Sequence, residues 1–83
     1  MAEQEIGRVD DFFARPVVAG VQLTDSLRVG DTIHILGHTT DITMMVHSMQ
    51  IDNADVEGAA AGQAIGVKVP DQVRRGDRVY KVT

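Results

Sequence analysis

With 83 residues, a formal net charge of -4 and 43% hydrophobic residues, the chain has material for one small core and none for a second. The surplus of acids excludes broad, sequence-blind affinity for polyanions, which depends on releasing counterions at phosphate contacts. The absence of cysteine excludes disulfides and thiolate metal sites, and a small domain without such staples suits a reducing compartment.

In chain order, residues 1–5 are acidic and polar, which predicts a flexible N-terminal tail and lacks the basic start and apolar run of a signal peptide. Residues 6–83 read as a single β-barrel domain, and no run approaches membrane-spanning length. Together these features predict a cytoplasmic protein with no membrane contact. Ile6 to Val9 is a first short strand, Asp10 to Pro16 a loop, and the shared parity of Val17, Ala19, Val21 and Leu23 a half-buried second strand.

Asp31 to Val46 is the best-determined piece, a hairpin turning at Gly37-His38-Thr39-Thr40. Setting Ile35 opposite Ile42 and Ile33 opposite Met44 places His34 against Thr43 and Leu36 against Asp41 on the other face. A slip of one residue would turn the inward set of one strand to solvent. Beyond Val46 the inward parity changes, because Ile42, Met44 and Val46 are even whereas Met49 and Ile51 are odd, and this predicts a β-bulge near His47-Ser48. Asp55 to Gly62 permits at most two helical turns, Ile65 to Val69 is a strand ended by Pro70, and Val79 to Val82 is the last. The expected architecture is therefore all-β, a closed or nearly closed six-stranded antiparallel barrel.

One phrase occurs three times, at Gly30-Asp31-Thr32-Ile33, Gly62-Gln63-Ala64-Ile65 and Gly76-Asp77-Arg78-Val79. Its glycine supplies positive φ, its polar second residue bonds back to the turn, and its fourth residue begins an inward face. Arg75-Gly76-Asp77 spells an adhesion tripeptide, but the same Gly-Asp recurs at Gly30-Asp31 without a preceding arginine, so the pair serves geometry.

Candidate chemistry is sparse. His34 and His38 have a spacing that chelates on a helix, but along a strand four residues span roughly 13 Å, and no metal or other cofactor is expected. No serine or carboxylate is spaced to complete a catalytic set with a histidine, so no catalytic residue is assigned and the chain reads as no enzyme. Asp10-Asp11 and the group Asp52, Asp55 and Glu57 lack the full calcium-loop pattern and read as turn carboxylates. Of Met44, Met45 and Met49, alternation leaves only Met45 exposed. Phe12-Phe13 with Arg15 stands out, since adjacent aromatics point in different directions and an exposed one beside arginine suits base stacking or an interface anchor. Arg8, Arg74, Arg75 and Arg78 extend this candidate binding surface if the two ends of the chain converge.

Gly7-Arg8-Val9, Leu27-Arg28-Val29-Gly30-Asp31, Ala61-Gly62-Gln63 with Ile65-Gly66-Val67, and Arg75-Gly76-Asp77 resemble the turns and strands of the second, β-barrel domain of translational GTPases such as elongation factor Tu. The phrases Gly37-His38-Thr39-Thr40-Asp41 and Met49-Gln50-Ile51 are similar to those of small translation elongation factor-like proteins. No phosphate loop ending in Gly-Lys-Ser/Thr is present, so GTP binding is excluded. The resemblance implies a monomeric, non-catalytic binding module that contacts tRNA or ribosomal RNA. The alternative is an adaptor that docks on an enzyme or a translation component without touching nucleic acid, which the acidic balance favours.

Overall fold

The repeated glycine phrase becomes three copies of one turn in the computed structural model, which describes residues 2–14 and 17–83. Gly30, Gly62 and Gly76 have φ of 99°, 89° and 90°. In each turn the residue after the glycine donates its amide to the carbonyl three residues back: Asp31 to Arg28 at 3.1 Å, Gln63 to Ala60 at 3.2 Å, Asp77 to Arg74 at 3.1 Å. This is a type II turn, whose third residue needs positive φ. The same three side chains then accept from the first residue's amide, Asp31 from Arg28 at 2.9 Å, Gln63 from Ala60 at 2.7 Å and Asp77 from Arg74 at 2.8 Å. Gln63 thus performs with a longer arm what aspartate does in the other copies.

The three turns lead into β4, β9 and β10 of the ten strands among the described residues: β1 (Glu3–Ala14), β2 (Val17–Leu23), β3 (Leu27–Arg28), β4 (Thr32–Leu36), β5 (Asp41–Met45), β6 (Met49–Ile51), β7 (Ala54–Val56), β8 (Gly58–Ala59), β9 (Ala64–Lys68) and β10 (Arg78–Val82). Eight form one antiparallel sheet in the order β5-β4-β10-β1-β2-β9-β6-β7, while β3 and β8 pair separately. One face of the sheet gathers around a single core in which Ile6, Leu23, Leu27, Ile33, Ile35 and Met49 are almost wholly buried. Residues from strands far apart in the sheet order meet in that core, so the sheet is strongly curled.

The hairpin register holds at every pair, with Ile33 opposite Met44, His34 opposite Thr43, Ile35 opposite Ile42 and Leu36 opposite Asp41. Other expectations are corrected. The sheet has eight strands instead of six, and its order does not return on itself: β5 and β7 are its two ends, so no closed barrel forms among the described residues. Residues 10–14, expected as a loop, belong to β1, where Phe12 pairs with Ala19 and Ala14 with Val17. The register of β1 shifts between Glu5 and Gly7 against β10, and between Val9 and Asp11 against β2. Two such irregularities let Ile6, Val9 and Phe12, three residues apart, all face inward, and they break the alternation by which a strand is recognised. Glu3 to Glu5, expected within a tail, are strand residues opposite Val82, Lys81 and Tyr80.

The parity change after Val46 is real, since Val46 and Met49 are both buried. The device differs from the expected bulge: β5 stops at Met45, Val46 just beyond it still bonds through its backbone to Asp31 and Gly30 at 2.9 Å, and β6 restarts at Met49 in the other phase. The helix-permitting stretch is β7 and β8 instead, because Asp52 and Asn53, with φ of 52° and 65°, form a two-residue connection that returns the chain onto β6.

Candidate functional site

The outer face of β1, β2, β9 and β6 holds a trough of about 580 Å³. Its floor is made by missing side chains, because Gly20 and Gly66 are directly paired across β2 and β9, and Gln50 of β6 lies opposite Gly66. A Cβ at Gly20 would stand 3.1 Å from Asp10 Oδ1, and one at Gly66 would stand 3.3 Å from Val18 Cγ1, so the glycines also let the flanking side chains lean over the floor. Asp10, Asp11 and Phe13 of β1 line one side, with Asp52 and Asn53 of the β6–β7 turn also on the rim. The volume lies within the range of ligand clefts, and the walls are anionic and aromatic. A glycine inside an apolar strand is a signal of close approach, and Gly20 and Gly66 could have been found in the sequence by it.

The structure separates the sequence-predicted surface. Phe12 turns inward and packs on the core, while Phe13 stays 54% exposed at the trough. Arg8 and Arg78 are exposed and opposite each other on β1 and β10, and Arg74 and Arg75 are exposed in the turn before β10. Arg15 lies outside the described residues. The two ends of the chain do converge, through reciprocal bonds between Ala2 and Thr83 at 3.0 and 2.8 Å. The face they create is nevertheless not a basic one, because Arg75 lies 3.7 Å from Asp11 and Arg78 lies 3.4 Å from Glu5. Acids interleave with the arginines. At the adhesion-like tripeptide, Asp77 is 4% exposed and committed to its turn.

A second cluster was not foreseen. His34 on the outer face of β4 has Nδ1 3.0 Å from Glu3 and Nε2 2.6 Å from Asp41, with the Tyr80 ring 6.3 Å away. The hydrogen bond to Glu3, then that to Asp41, raises its pKa above 6.5, while partial burial opposes them. The hairpin register set His34 against Thr43 on the face away from Ile33 and Ile35, but the contact to Glu3 depends on β10 lying between β4 and β1, which no local spacing reveals.

No protein-family model matches the chain. An uncharacterized protease of Methanocaldococcus jannaschii is 49% identical over 77 residues, which cover 92% of this chain and 19% of that protein. A collagenase of Porphyromonas gingivalis is 32% identical over 78 residues, covering 92% of this chain and 22% of its own length. The chain therefore spans about one fifth of the length of the curated relatives it matches. Among solved structures, the C-terminal domain of a Geobacillus thermoleovorans protein assigned to the U32 peptidases superposes with a TM-score of 0.87 at 18% identity, covering 94% of this chain and 91% of that domain. Its selenomethionine variant gives 0.86.

These likenesses correct two expectations. The similarity to a translation-factor domain is overturned: the relatives are named as a protease and collagenases, and the fold is that of a U32 peptidase C-terminal domain. The expectation that the chain is no enzyme is overturned by the same names, which place it beside peptidases. Among the described residues no helix is long and apolar enough to cross a membrane.

Proposed function

We propose that the chain is an accessory module of a U32-type peptidase, which docks on polypeptide and serves proteolysis instead of translation. The observation that carries this reading is the 49% identity, along almost the whole chain, to a protein named as a protease and about five times as long. In this reading residues 3–83 form one domain, and the curled, barrel-like sheet is its scaffold. The trough is its docking face: Phe13 supplies an exposed aromatic anchor, and Asp10, Asp11 and Asp52 prefer a partner with cationic side chains. The interleaved acids at Arg75 and Arg78 favour a protein partner over an RNA.

The test uses the Methanocaldococcus jannaschii relative with its matching segment removed. This chain, added in trans, is expected to bind the truncated protein in a calorimetric titration, and Phe13→Ala is expected to weaken binding about tenfold, or about 1.4 kcal/mol. Absence of binding, or binding indifferent to Phe13→Ala and to Asp10→Ala with Asp11→Ala, overturns the assignment of the docking face.

A further inference from the structure

The open order of the sheet leaves one side of β5 without a neighbouring strand among the described residues. Just beyond the two ends of β5, the Val46 amide donates to the Asp31 carbonyl at 2.9 Å and the Thr40 carbonyl accepts from the Gly37 amide at 2.8 Å. Antiparallel alternation then turns the backbone groups of Ile42 and Met44 towards β4 and those of Asp41, Thr43 and Met45 away from it. The core is uncovered on this flank, because Ile42 and Met44 are inward yet only partly buried, and Met45 is 50% exposed. Beside this edge runs a groove of about 480 Å³ lined by Met44, Met45, Val69 and Pro70, with His47 and Lys68 at its rim. Lys68 is exposed and has no ion pair among the described residues.

We propose that this seam captures an extended polypeptide segment, which adds as a strand to the free edge of β5, with apolar side chains at alternate positions in the groove and a carboxylate facing Lys68. The free amides and carbonyls recur every second residue, a spacing that an extended strand matches. The adjacent groove is apolar and the methionines adapt to varied side chains, so the backbone supplies most of the affinity and the sequence preference is loose. Lys68 selects against a basic side chain at the facing position. The inference rests on the polypeptide-docking reading and adds to it a second surface, which shares no lining residue with the trough.

The test measures amide hydrogen exchange across the whole chain in the presence of a capped seven-residue peptide that alternates valine and threonine around a central glutamate. Exchange at Thr43 and Met45 is expected to slow about tenfold or more. Of two versions N-methylated on alternate amides, one is expected to keep this protection and the other to lose it; a lysine in place of the glutamate, or Met45→Lys in the protein, is expected to remove it. No protection at millimolar peptide, or equal protection from both N-methylated versions, overturns the proposal. Protection of Thr43 and Met45 that rises with protein concentration alone, with a dimer in sedimentation, also overturns it, since the occupant is then a second copy. Where the truncated relative binds the chain but the peptide protects nothing, only the seam proposal fails; where peptide protection appears but the truncated relative does not bind, the peptidase reading fails alone.

Discussion

Replacing Gly76 by alanine isolates the contribution of the repeated turn. Its φ is 90°, and a Cβ built there meets nothing within 4 Å, so the L-alanine variant suffers backbone strain without a clash. Holding an L-residue in this region costs about 1–2 kcal/mol, partly offset by the lower entropy of the unfolded chain, for a net loss of about 1 kcal/mol. For a domain of this size that lowers Tm by about 4–8 °C. D-alanine introduced by chemical ligation reverses the sign, because positive φ is its natural region while its unfolded chain is equally restricted, and a gain of about 0.5–1 kcal/mol is expected. Thermal unfolding followed by circular dichroism reads both. Shifts of the same sign and size for L- and D-alanine would refute the claim that conformation, and not side-chain volume, makes glycine necessary.

Gly37→Ala should be worse than Gly76→Ala, because its Cβ would fall on the carboxylate of buried Asp77, which holds the Arg74 amide at 2.8 Å. A loss of about 2–3 kcal/mol in urea unfolding is expected, and combination with Asp77→Ala should be strongly non-additive; additive losses would show that the two do not touch. Asn53→Val should cost about 1–2 kcal/mol, since a β-branched residue is forced to φ 65°, and an unchanged midpoint would show that the β6–β7 connection is wrongly placed. His34, whose folded pKa is raised by Glu3 and Asp41, stabilises the fold when protonated. That contribution is complete below the unfolded value of about 6.5 and is lost as pH rises through the raised folded value. Stability should therefore fall with rising pH from near neutrality, and His34→Gln should flatten the profile; an unchanged slope in the variant would contradict the assignment.

What the sequence made legible was local. Thr32 to Leu36 and Asp41 to Met45 alternate cleanly around a short turn, so their register could be set residue by residue, and the glycine phrases announced three turns with positive φ at Gly30, Gly62 and Gly76. Asp10 to Ala14 was illegible as strand because the register shift after Val9 moves the inward set from odd to even numbers. Ala54 to Ala59 has neither alternation nor β-branched density: the pairing of Ala54 to Val56 with β6 is set by Asp52 and Asn53 in a conformation uncommon for residues other than glycine, and Gly58 and Ala59 pair with the distant Arg28 and Leu27. The trough and the Glu3–His34–Asp41 cluster depend on which strands become neighbours, and nothing at short range encodes that. The translation-factor resemblance was carried largely by Gly30, Asp31, Gly62, Gly76 and Asp77, and these residues shape backbone turns. Such residues report architecture, and a likeness built on them is silent about function.

Exchange of segments tests whether this chain serves a peptidase. In the Porphyromonas gingivalis collagenase, the 78-residue stretch that matches this chain is either deleted or replaced by it, and release of peptides from labelled collagen is measured. Deletion is expected to lower the rate, and the replaced protein to recover most of it. A replaced protein that folds yet is no more active than the deletion would contradict the assignment of this chain as a peptidase accessory module.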